Sequence, residues 1–314
     1  MTTGRRYTWA RMFGAGLVLW LLTVAVTFLT ANPTLVPTLV LLGSFLVPAS
    51  FIAWAFEHRL TAEITATLLL KIFVLGGVLG VLAASLLESY LLRPSVGLFA
   101  SVGLIEEAVK LLALAALTRE LRVKAPRDGM LLGACVGFGF SAFESAGYAM
   151  MAALTEQGLS LVDLVATELL RGLVAPFGHG LWTAILGGVL FSRSGRESFL
   201  LTVPLVLSYL GVSLLHALWD SAHSVAVLIT VVLSSPNGWS PETAPGWISD
   251  PTPGQVWLLT AITWVWLAVV AAIGVAWLSA VIVHYWRSRG TPKSGYPIST
   301  RGRWWPQRWS GEPG

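Results

Sequence analysis

The chain is poor in charge and almost free of cysteine. Asp, Glu, Lys and Arg make up only 11% of its 314 residues, against 55% hydrophobic residues. That balance excludes an ordinary water-soluble domain and fits a membrane protein. The single cysteine, Cys135, excludes an internal disulfide. It lies in an apolar run with no metal-ligand partner near it, so it reads as a small packing residue. No internal repeat is visible, which argues against a transporter built from duplicated halves. No stretch is long and polar enough for a separate soluble domain.

What the chain has in abundance is long apolar runs. Eight of them, at 13–30, 35–56, 64–87, 96–118, 129–153, 174–192, 198–222 and 255–284, are long enough to cross a bilayer at about 1.5 Å per residue. The expected fold is therefore all-α: a polytopic membrane protein of about eight transmembrane helices in one domain, 1–286, followed by a basic, Trp-rich tail at 287–314. The tail reads as disordered or resting on the inner interface. The segment after Asp220 is expected to break or lean into the interface. Segment 160–172 carries Asp163, Glu168 and Arg171, too many polar groups for a span. With Ser160 and Asp163 placed as in a capping box, it reads as an outer-surface or re-entrant helix.

Sixteen of the 20 Lys and Arg fall on one side of this arrangement, at the N-terminus, in alternate loops and in the tail. The positive-inside rule then puts both termini in the cytoplasm of a cell (plasma) membrane protein. The first apolar run has no clear cleavage site after it and reads as a retained helix, with a cleaved signal as the alternative. The net charge of +4 is accounted for by loop edges and tail, so no nucleic-acid partner is expected.

Against this apolar background, four spans carry ionisable groups far from their ends: Glu106, Glu107 and Lys110; Glu144; His179; His216 and Asp220. A central Asp, Lys or Arg opposes insertion by roughly 2.5–3.5 kcal/mol. Counted from the cytoplasmic ends, Glu106, Glu144, His179 and His216 lie at about 18, 22, 20 and 27 Å. They share one layer at or beyond the midplane, which implies a polar cavity formed by helices four to seven. Glu106 and Glu107 precede Lys110 by four and three residues, so the lysine reaches either carboxylate. His216 and Asp220, four apart, share a face. Phe140, one turn before Glu144, is placed to wall the cavity. His58 and His284 sit at the cytoplasmic edge, His223 reads as structural, and Lys71 and Glu88 lie near span ends where they can snorkel.

The strings EEAVK (106–110), FSAFE (140–144), APFGH ending at His179, and HALWD (216–220) occur in order on successive spans. In this the chain resembles the PrsW family of intramembrane proteases, relatives of the CAAX-processing and bacteriocin-processing membrane proteases, over a motif-bearing core of 96–222. The resemblance implies hydrolysis of a peptide bond in a membrane-anchored protein, such as an anti-sigma-factor-like regulator, by a carboxylate-activated water. On this reading the catalytic candidates are Glu106, Glu107, Glu144, His179, His216 and Asp220, with Glu106 as the general base. Glu144 and His179 orient the water and trade protons, His216 and Asp220 steady the oxyanion or leaving group, and Lys110 ties down Glu107. Metal-free and metal-dependent versions stay open. Zinc is the candidate ion, with His179, His216 and Glu144 as candidate ligands. HExxH and GxGD are both absent, and Ser141 and Ser213 stand near the layer with nothing to single them out. The alternative from another class is a proton-coupled transporter or channel using the same Glu, His and Asp cluster; a non-catalytic receptor is a third. The oligomeric state is left open.

Overall fold

The computed structural model describes residues 7–287 apart from 60, 94, 96, 123, 157, 195–197, 235–247 and 249. The tail beyond 287 and most of the stretch between 234 and 250 thus lie outside the described residues. Among the described residues ten α-helices follow one another: α1 (Thr8–Thr30), α2 (Val36–His58), α3 (Ala66–Leu91), α4 (Leu98–Thr118), α5 (Pro126–Ala153), α6 (Leu161–Val174), α7 (His179–Arg193), α8 (Val203–Asp220), α9 (Ala222–Ser234) and α10 (Pro253–Arg287). A two-residue hairpin, β1 (Leu154–Thr155) with β2 (Gly158–Leu159), joins α5 to α6. The protein is an all-α polytopic membrane protein. Among the described residues, seven helical segments are long and apolar enough to span a bilayer. α4 adds the charged trio to a 21-residue helix, about 30 Å long.

Local chemistry sets the helix starts. Thr65, Ser160 and Thr202 each accept a hydrogen bond from the backbone N–H three residues on, satisfying donors that the first turn leaves open. Pro126 opens α5 at a position where its missing N–H costs nothing. The chain breaks at Ser221, between α8 and α9, as expected. The expected sixth span, 174–192, is shorter in the structure. α7 starts only at His179 and its 15 residues cover about 22 Å, with α6 and a 3-10 turn (Ala175–Phe177) before it.

The helix at 161–174 forms where the Ser160 cap predicts; Asp163 is exposed, but Glu168 does not face outward as on a surface helix. Glu168 is buried and accepts a 2.7 Å hydrogen bond from the Trp20 indole, tying α6 to α1. Composition alone could not reveal that pairing, because Trp20 lies 148 residues away. Cys135 is fully buried in the apolar core with Ile72, Leu132, Val136 and Phe191.

Close helix contact depends on glycine. Gly129, Gly133 and Gly137 lie four apart on one face of α5. A Cβ at these positions would strike the carbonyl oxygens of Gly187, Thr183 and His179 on α7 respectively. On another face, Gly139 meets the Phe73 carbonyl of α3 in the same way. Backbones approach this closely only where side chains vanish, the usual basis of helix association in lipid. α5 is thereby clamped between α3 and α7, and the Gly137 contact fixes the backbone of His179.

Gly133→Leu should therefore lower the unfolding temperature in detergent sharply, with a cost of about 1–3 kcal/mol or more. Gly147→Ala, at a position with open space around it, should leave the temperature unchanged.

Candidate active site

The predicted ionisable groups come together around Lys110. Its ammonium lies 2.9 Å from Glu106 Oε2, 2.9 Å from Glu107 Oε1 and 2.8 Å from His179 Nδ1. The side chain is fully buried, with Nζ 4.0 Å from the centre of the Phe140 ring. An ammonium has three N–H donors, and here each has its own acceptor. The sequence allowed Lys110 to tie down Glu107 and leave the other carboxylate free. Instead it holds both, because residues three and four positions back stand on the same face of α4.

The arrangement continues in both directions. His179 Nδ1 accepts from Lys110, so in the neutral ring the proton belongs to Nε2, which lies 3.1 Å from Glu144 Oε2. The same Glu144 oxygen accepts from the Arg171 guanidinium. Arg171 Nε also donates to Ser145 Oγ at 2.7 Å, and the guanidinium lies over the Tyr148 ring. On the other side, His216 Nδ1 lies 3.1 Å from Glu107 Oε1, and its Nε2 lies 3.3 Å from Asp220 Oδ2 and 3.7 Å from Glu106 Oε2. A hydrogen-bonded series therefore runs from Arg171 on α6 through Glu144, His179, Lys110, Glu107 and His216 to Asp220 on α8. Trp182 closes the inner side; its ring stacks near His216 at 4.8 Å and meets His179 edge-on at 5.4 Å.

Glu144 and Asp220 of this series, together with Glu106, line a cavity of about 530 Å³, whereas Glu107, Lys110, His179 and His216 stand behind that lining. Glu107 is completely buried, and one of its oxygens has no hydrogen-bond partner. Phe140 lines the cavity as expected. The remaining walls come mainly from apolar groups of α3, α4 and α5, among them Val81, Phe99, Val102 and Phe143. Such a pocket, apolar with a few convergent polar groups, has the form of a small-molecule or peptide site.

Two side chains with roles in this geometry escaped the sequence reading. Arg171 was visible only as a polar residue of an awkward segment. Glu88 was set aside as a snorkelling group, yet it lines the cavity. Position near a helix end gives depth but not the direction in which a side chain points. Lys71, set aside with it, is exposed.

The donor atoms of Glu106, His179 and His216 lie within 4.8 Å of one another. One carboxylate and two imidazoles from separate helices suit a zinc-type ion and leave a coordination position for water. Glu144, a ligand candidate from sequence, is not in this trio. Both ring nitrogens of His179 and of His216 now face Lys110 or carboxylates, so loading requires an exchange of partners.

A family model described as PrsW family intramembrane metalloprotease matches residues 64–236, more than half of the chain. No curated protein and no solved structure matches it.

Lys110→Met removes the charge that compensates two buried carboxylates. It should cost about 3–5 kcal/mol, read as a large fall in unfolding temperature in detergent. Lys110→Arg should not restore the wild-type value, since a planar fork cannot reproduce three converging ammonium bonds.

Proposed function

Because the chain belongs to the PrsW family of intramembrane metalloproteases, and is thus a membrane-embedded peptidase, we propose that it cuts a membrane-anchored protein through a water activated at Glu106. The observation that carries this reading is the position of Glu106: its carboxylate borders the cavity while one oxygen is held by the buried Lys110. The other oxygen has no hydrogen-bond partner among the described residues and can take a proton from water.

The water's oxygen bonds to the carbonyl carbon of the substrate as its proton passes to Glu106. The C–N bond then breaks, and Glu106 returns the proton to the leaving nitrogen, so that acid and base roles fall to one carboxylate. Lys110 fixes the rotamer of Glu106, so its basic oxygen is already aimed into the cavity. Glu144, which borders the cavity and is held by Arg171, orients the Nε2–H of His179 behind it. His216, whose ring is fixed by Asp220 and Glu107, would donate to the oxyanion by exchanging its Nε2 contact with Asp220 for the substrate. A metal held by Glu106, His179 and His216 would supply Lewis-acid polarisation and a more acidic water. Glu107 stays out of the chemistry as the inner counter-charge of Lys110 and His216.

The substrate, on this proposal, is a single-span or otherwise anchored protein of regulatory type, an anti-sigma-factor-like molecule being one such class. The basic loops orient the enzyme with both termini in the cytoplasm of the plasma membrane. The cavity then lies toward the outer leaflet, and the cut falls in the outer portion of the substrate span.

Purified protein in liposomes should cleave a single-span test peptide, and Glu106→Gln should lower kcat at least ~100-fold with an unchanged unfolding temperature. Mass spectrometry should place the new termini in the outer half of the span. Cuts confined to the cytoplasmic juxtamembrane region would contradict the orientation. Cleavage undiminished in Glu106→Gln would remove Glu106 from the mechanism.

A further inference from the structure

Glu88 is the cavity carboxylate that this mechanism leaves unused. It lies three residues before the end of α3 and shares the cavity with Glu106, Glu144 and Asp220. Its Oε1 is enclosed and has no hydrogen-bond partner. The neighbouring carboxylates are engaged: Glu106 and Glu107 with Lys110, Glu144 with Arg171 and His179, Asp220 with His216. The two cations of the cluster are therefore committed elsewhere. Arg93, the basic residue nearest to Glu88 along the chain among the described residues, is exposed, and its guanidinium donates to the Leu92 carbonyl.

Charge balance points the same way. Ionised, Glu88, Glu106, Glu107, Glu144 and Asp220 outnumber Lys110, Arg171 and a His216 that donates from both nitrogens by two, and by three when His216 is neutral to ligate a metal. A divalent ion at Glu106, His179 and His216 would still leave one negative charge. Apolar walls keep the local dielectric low and concentrate that charge on whatever enters. Glu88, with an enclosed and unsatisfied oxygen, is where an incoming cation gains most.

We infer that Glu88 forms a substrate subsite for a cationic side chain, lysine or arginine, of the polypeptide being cut. This rests on the proteolytic reading of the cavity. The register follows from the helix ends. α3 stops at Leu91 and α4 starts at Leu98. Glu88 lies three residues inside the first and Glu106 eight inside the second, so their levels differ by about 8 Å. An extended peptide advances about 3.3 Å per residue. The cationic side chain therefore stands two or three residues from the cleaved bond, on its outer side.

The test uses full-length enzyme in liposomes and single-span peptides with a Leu/Ala span. The peptides carry Lys, Gln or Glu at each of the four positions outward of the cut. At one position, two or three residues away, kcat/KM should fall at least ~10-fold from Lys to Gln and further to Glu. In Glu88→Gln the Lys-to-Gln ratio at that position should drop to near one. Glu88→Lys should reverse the order and favour Glu, a gain that a damaged fold cannot produce. Equal rates for the three peptides at every position, or a Lys preference that survives both substitutions, would overturn the subsite while leaving proteolysis intact. If the wild-type enzyme cleaves none of the peptides, the proteolytic reading falls and the subsite with it.

Discussion

The organisation of this protein depends on one buried ammonium. Five helices, α4 to α8, contribute acidic or basic groups that lipid would not accept singly, and Lys110 makes the burial of the central ones tolerable by bonding Glu106, Glu107 and His179 at once. The desolvation of such a group is worth several kcal/mol and is offset only when its donors are all satisfied. Here they are, and the same three bonds set the rotamer of Glu106 and the tautomer of His179. The interaction that allows the helices to pack is thus also the one that aims the reactive side chains.

Packing and chemistry are linked a second time through glycine. The α5 face of Gly129, Gly133 and Gly137 brings α7 so close that its first residue, His179, rests against the α5 backbone. Seven residues further along α5, Glu144 faces the same imidazole at 3.1 Å. The distance between these two groups is set by backbone contact, which does not adapt as side chains do. Arg171 then holds Glu144 from the opposite side. Preorganisation of this kind suits a site where charge develops in a medium that cannot reorganise around it.

Much of this was legible in the residues themselves. Apolar runs gave the helices, because backbone groups in lipid must be satisfied within each segment. Ionisable residues at matching depth gave the layer, and the ordered strings on successive spans gave the family. The family match decides for hydrolysis over transport. What was hidden concerned rotation about helix axes and partners distant in sequence. The union of Lys110 with His179 spans 69 positions, and that of Trp20 with Glu168 spans 148. Glu88 was misread because a place near the end of α3 suggests access to the interface, whereas its azimuth turns it into the cavity. The glycine spacing on α5 was a signal in plain view: three glycines four apart mark a face made for close approach.

The central claim, that Lys110 is a dry ammonium shared by Glu106, Glu107 and His179, has a direct spectroscopic test. The chain has four lysines, Lys71, Lys110, Lys124 and Lys293. Replacing the other three by arginine leaves one ¹⁵Nζ signal for solid-state NMR in lipid. Dipolar dephasing of that signal by ¹³C-labelled glutamate carboxyl carbons should be strong, should weaken in Glu106→Gln and in Glu107→Gln, and should be accompanied by a contact to imidazole ¹³C. A lysine signal with no carboxylate contact, exchanging freely with water, would contradict the account.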